Sequence, residues 1–120
     1  MLGPAVTAVD AWKDRGVGIV EPLANLHAYD AGTFRDALRE AVNMTDVPAV
    51  VVTFEAAVLV DIDILSVIQS ENFEYATHGG RIILVSVSAP VRRVLEISGL
   101  ANLISFYQSL EEALEELSPQ

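Results

Sequence analysis

Apolar positions along this chain fall into two rhythms, and their alternation outlines a fold. AVTAVDAW (5–12) and GVGIVEPLA (16–24) read as two strands joined by a tight turn at Lys13-Asp14-Arg15-Gly16. In YDAGTFRDALREAVN (29–43), Phe34, Leu38, Ala41 and Val42 recur at helical spacing, and Asp30 is placed to cap the start. PAVVVTF (48–54) is short, β-branched and apolar on both faces, as expected of a central, doubly covered strand.

From Ile64 to about His78 the pattern predicts a second helix. Leu65, Ile68, Asn72 and Ala76 form its stripe, with Ile64, Val67 and Phe73 beside it, and Gly79-Gly80 stops it. RIILVSV (81–87) repeats the buried-strand signature. SAPVRRVLEISG (88–99) predicts a third helix, with Ser88 or Ala89 near the cap, Pro90 in the first turn and Gly99 past the end. NLISFY (102–107) reads as a short strand. SLEEALEEL (109–117) opens with an S-x-x-E capping box, Ser109 and Glu112, and offers Leu110, Ala113, Leu114 and Leu117 for burial.

The order ββαβαβαβα predicts an α/β fold, a mixed sheet with helices packed against it. No repeat, low-complexity tract or linker interrupts residues 1–120, so a single domain is expected. A chain of 120 residues, 52% of them apolar, can bury a core without disulfides, and it has no cysteine to form any. Its apolar runs are far shorter than the ~20 residues of a membrane span. MLGPAVTAVDAW has neither the basic start nor the apolar centre of a signal peptide, and a cytoplasmic protein is expected. The net charge of −10, from 17 acids against 7 bases, repels phosphate backbones and anionic lipid. Nucleic acid and membrane surfaces are therefore excluded as partners, and a basic protein surface is favoured.

Catalytic constellations are missing. His27 and His78 stand far apart, and no H-E-x-x-H, G-x-S-x-G, P-loop or G-x-G-x-x-G occurs. GVG at 16–18 falls in a hairpin, not at a strand-to-helix turn. A phospho-acceptor receiver domain would need a lysine after its last strand, and the only lysine is Lys13. Neither enzyme activity, cofactor nor metal is expected. A carboxylate-dependent hydrolase is the remaining catalytic alternative, and it would need a concave pocket holding Asp61, Asp63 and His27 together.

VDIDILSVIQ (60–69) sets those two carboxylates into an apolar run, where burial is costly unless the charge is bonded. A helix starting near Ile64 would put Asp63 at its N-cap, with Asp61 anchoring the loop.

From about residue 17 onward the chain resembles the STAS family, single-domain anti-sigma-factor antagonists in particular. GGRIILVSVSAPVRRVLEISGLANLISFYQSLEEALEEL carries the most specific part of the likeness, and PAVVVTF…VLVDIDIL and ANLHAYDAGTFRDAL match upstream segments. The resemblance implies a non-catalytic domain that binds a kinase-type anti-sigma factor or other STAS proteins. In the family a D-S-S-G string carries the serine that the partner kinase phosphorylates. Here those positions are Asp61, Ile62, Asp63 and Ile64, and the family's G-E-L-D reads Ala24-Asn25-Leu26-His27. Serine phosphorylation at the acceptor position is thus chemically impossible. Asp63 either caps the helix, worth about 0.5–2 kcal/mol, or mimics a phosphoserine with a fixed charge. The partner-binding residues implied are Asn25, His27, Asp61, Ile62, Asp63, Ile64, Leu65 and Ser88. Ile62, Ile64 and Leu65 would make a more apolar patch than the family's loop, open to a divergent partner or to a homo-oligomer. A non-phosphorylated scaffold within a larger signalling assembly is the alternative role.

Other residues have plainer expectations. Arg92 and Arg93 should share a solvated face with Glu96, and Glu111, Glu112, Glu115 and Glu116 should line the outer face of the last helix. Trp12 should pack, His27 should be a loop histidine, and Ser66 should bond back to its own helix.

Overall fold

The computed structural model describes residues 5–118. Strands β1 (Val9–Asp14) and β2 (Val17–Pro22) form an antiparallel hairpin that turns on Arg15 and Gly16, at φ 51° and 80°. Left-handed backbone at both central positions is the two-residue turn whose twist matches the strands. Lys13 and Asp14 are therefore strand residues rather than turn residues, paired with Gly18 and Val17. The first strand begins at Val9, not at residue 5.

Strands β3 (Ala49–Thr53), β4 (Arg81–Val85) and β5 (Ser105–Tyr107) continue the sheet in the order β1-β2-β3-β4-β5, with every pairing after the hairpin parallel. Helices α1 (Ala31–Met44), α2 (Ile62–Ala76), α3 (Ala89–Ile97) and α4 (Leu110–Leu117) complete the expected ββαβαβαβα order. The last strand is shorter than NLISFY implied. Residues 100–102 form a 3₁₀ turn, and the Leu103 N–H bonds to the Leu100 carbonyl instead of a neighbouring strand.

Period-two alternation divides the sheet residues between two cores. Val50, Val52, Ile82 and Leu84 meet Phe34, Leu38, Ile64, Ile68 and Leu95 of the first three helices. Ile19, Val51, Ile83 and Val85 meet Ala113 and Leu114 of α4, with Trp12 packed at the margin. Both faces of β3 are covered, which is why its sequence shows no alternation. At Gly18 an added Cβ would lie 2.5 Å from the Ala41 carbonyl oxygen, so the glycine lets α1 settle onto β2. The GVG string is a packing device.

Two details of α2 differ from the sequence pattern. It starts at Ile62, two residues early, and Phe73 is 74% exposed instead of flanking a buried stripe. Past Ile68 the helix closes against the sheet with polar and aromatic groups. Asn72 Oδ1 accepts from the Ile82 N–H at 2.9 Å, and the Tyr75 ring covers Gly80. Among the described residues no helix is long and apolar enough to cross a membrane.

Candidate functional site

The segment between β3 and α2 runs over the surface yet is held from two sides. The Asn25 side-chain oxygen accepts from the backbone N–H groups of Val58 and Leu59, at 2.9 and 3.0 Å. Leu26 makes an isolated parallel bridge with Val60: its N–H donates to the Leu59 carbonyl, and its carbonyl accepts from the Asp61 N–H. From the other side the Ser88 hydroxyl donates to the Val58 carbonyl at 2.7 Å, and its oxygen accepts from the Val91 N–H as the cap of α3. The β2–α1 and β4–α3 connections thus fix this one loop between them, so its exposed groups are presented on a rigid base.

Asp61 is the N-cap of α2. Its backbone is extended (φ −66°, ψ 150°) and its carboxylate accepts from the Asp63 N–H at 3.1 Å. The expectation that Asp63 caps the helix is corrected: Asp63 lies inside the first turn, exposed, where its charge faces the positive end of the helix dipole. Because the helix begins at Ile62, the free N–H groups fall within reach of the earlier aspartate. Ser66 donates to the Ile62 carbonyl at 3.2 Å, the back-bonding expected of it.

The apolar patch also differs from expectation. Ile62 is 61% exposed, but Ile64 and Leu65 are buried in the core and offer nothing to a partner. The reason is helical geometry: at successive positions of α2 only one face meets the sheet, and that face includes residues 64 and 65. In their place Val58 and Leu59 stand exposed beside Ile62. Their sequence signal was present, two apolar residues between a strand and a helix that belong to neither periodicity.

His27 is exposed and stacks on Tyr29, ring centroids 5.1 Å apart. Beneath this loop lies Asp30, fully buried. It occupies the N-cap position of α1 without bonding that helix. Its carboxylate turns back to accept from the N–H groups of Thr7 and His27, at 2.6 and 2.8 Å. Burial alone would raise its pKa, but hydrogen bonds from His27 and Thr7 favour the ionised form and leave it below the usual carboxylate range.

A cleft of about 290 Å³ lies between the β2–α1 connection and α3, lined by Leu26, Leu59, Val60, Pro90, Val91 and Val94, with His27 and Asp61 at its rim. Asp63 is not among its lining residues, so the triad required of a hydrolase is not assembled there. A larger groove, about 800 Å³, separates α1 from α2. Its arginines are committed, Arg35 and Arg39 both pairing with Glu71 at 3.2 and 3.0 Å. Arg92 pairs with Glu96 at 3.4 Å and lies over the Phe106 ring.

Comparison with known proteins matches residues 8–113 to the STAS domain model. Similar solved structures include an anti-sigma factor antagonist from Mycobacterium paratuberculosis, 20% identical, covering 99% of this chain and 100% of that one, TM-score 0.80. The unphosphorylated anti-sigma factor antagonist SpoIIAA is 22% identical over 91% of this chain and 95% of its own, TM-score 0.75. The phosphorylated form of the Bacillus cell fate determinant SpoIIAA is 21% identical over 91% and 98%, TM-score 0.69. At these identities the likeness is one of fold, and the sheet order and helix placement described above are what is shared.

Proposed function

The chain belongs to the STAS domain family, and we propose that it is a regulatory protein-binding domain of the anti-sigma-factor-antagonist type, acting in the cytoplasm. It works by binding and performs no chemistry. Its partner is a kinase-type anti-sigma factor or another STAS protein, met at the surface of Asn25, His27, Ile62, Asp63, Val58 and Leu59. Asp61 and Ser88 serve that surface from below, by capping and clamping.

One observation carries this reading: the loop aligned with the family's switch string is rigidly held while its apolar and acidic groups remain exposed. Asp63, at the acceptor position, has no hydroxyl to phosphorylate. With the cap assigned to Asp61, its charge is best explained as a permanent substitute for phosphoserine.

The test is calorimetric titration against each kinase-type anti-sigma factor of the source organism. Restoring the family string fully is unwise, because Ile64 is a core residue and glycine there would leave a cavity. The variant to use is Ile62→Ser with Asp63→Ser. It should bind one such kinase at least tenfold more tightly than the natural protein. Tight binding by the natural protein, lost in the variant, would make the apolar loop itself the recognition surface and end the phosphoserine analogy. Binding by neither protein to any kinase would reject the antagonist role.

A further inference from the structure

Exposed apolar side chains are not spread evenly over this molecule. Among the described residues, six of the nine large hydrophobic side chains that stand exposed are Val6, Leu23, Tyr29, Val58, Leu59 and Ile62. They occupy one end of the protein, tied together by short hydrogen bonds. Thr7 bonds to Asp30 and to the Asn25 carbonyl, Asn25 to Val58 and Leu59, and Leu26 to Leu59 and Asp61. An apolar surface concentrated in this way marks an interaction site.

The charges around the patch indicate what covers it. Asp61 lines one side of the Leu26–Pro90 cleft, and Asp63 follows it, exposed, in the first turn of α2. Pro90, on its other wall, also borders a shallow depression with Arg93. Arg93 is exposed and, like Arg81 at the start of β4, makes no ion pair among the described residues, whereas Lys13, Arg15, Arg35, Arg39 and Arg92 each do. One end of the molecule therefore presents an unpaired cation and exposed acids flanking a cleft, with apolar side chains beside it. A surface carrying both halves of an ion pair around an apolar centre is self-complementary under two-fold rotation.

We infer that this end is an isologous interface with a second copy of the chain, Ile62 and Leu59 of each protomer packing into the cleft of the other and Arg93 facing Asp63 across the axis. The net charge of −10 on each copy opposes approach, so the dimer is weak and reversible. Such a dimer covers the surface assigned above to a partner protein, and the two would compete. Its existence does not depend on who that partner is.

The experiment is sedimentation equilibrium of the full chain alone, from micromolar to near-millimolar loading, with circular dichroism confirming that each variant is folded. The natural protein should show a monomer–dimer equilibrium, and Ile62→Asp should weaken it at least tenfold. Asp63→Arg and Arg93→Glu should each weaken it, and the double variant, which restores opposite charges, should recover it. A monomer at every loading would overturn the inference, as would a dimer indifferent to Ile62→Asp or a double variant no better than the single ones. Since no partner protein is present, none of these results bears on the anti-sigma reading.

Discussion

The carboxylate of Asp61 accepts a hydrogen bond from the backbone N–H of Asp63, 3.1 Å away, so one of the two acids in the VDIDIL run organises the helix and the other is left free. That division of labour gives the two residues different signatures. Asp61→Ala should destabilise the domain by about 0.5–2 kcal/mol through loss of the cap. Asp63→Ala removes only a charge near the helix dipole and should cost about 0.3–1 kcal/mol. Urea titrations of both variants check this, and a larger cost at Asp63 would return the cap to that residue.

Asp30 should prove a structural acid. Asp30→Ala leaves the part-buried Thr7 and His27 N–H groups without their acceptor, which should cost about 1–3 kcal/mol. Because its folded pKa lies below the ordinary value of 3.8, the folded state binds protons less readily than the unfolded one. Its stabilisation is present above that ordinary value and disappears as pH falls through the folded pKa. The gap between natural protein and variant should therefore narrow in strong acid, as followed by thermal melts.

Glu21 should behave in the opposite sense. It is half-buried, sits directly across the hairpin from Asp10, and feels Glu55 as well. Burial first, and then these like charges, raise its pKa above the ordinary 4.5. Here the folded state holds the proton more tightly, so stability declines as pH rises from 4.5 through the raised value. Glu21→Gln should raise the urea midpoint at neutral pH and leave it unchanged below the ordinary carboxylate pKa. A variant no more stable at neutral pH would show that the three acids do not strain the sheet.

Incubation with a kinase-type anti-sigma factor and ATP should leave residues 61–64 unmodified, since the side chains there are two carboxylates and two isoleucines. Intact-mass and peptide mass spectrometry read this directly. The nearest hydroxyl, Ser66, is exposed but bonded to the Ile62 carbonyl. Stoichiometric phosphate on Ser66 would mean that the switch has moved along the helix by one turn.

The amino-acid sequence by itself determined the order of elements, because each rests on local pattern. Valine and isoleucine without alternation at 49–53 and 81–85 can only be strands covered twice, and Ser88 and Ser109 cap the helices that follow them as their neighbours indicate. Likeness to the STAS family pointed to the proposed functional loop for the same reason, through strings read along the chain. Only the tertiary structure decided what that loop presents. Asn25 reaches Val58 across 33 positions, Thr7 reaches Asp30 across 23, and Ser88 reaches Val58 across 30. No local pattern encodes such bonds, since they exist only once the strands have brought the connections together at one end of the sheet. The start of α2 depended on them too. With the Asp61 N–H drawn to the Leu26 carbonyl, the chain enters the helix at Ile62. That register buries Ile64 and Leu65 against the sheet and leaves Ile62 and Asp63 facing outward.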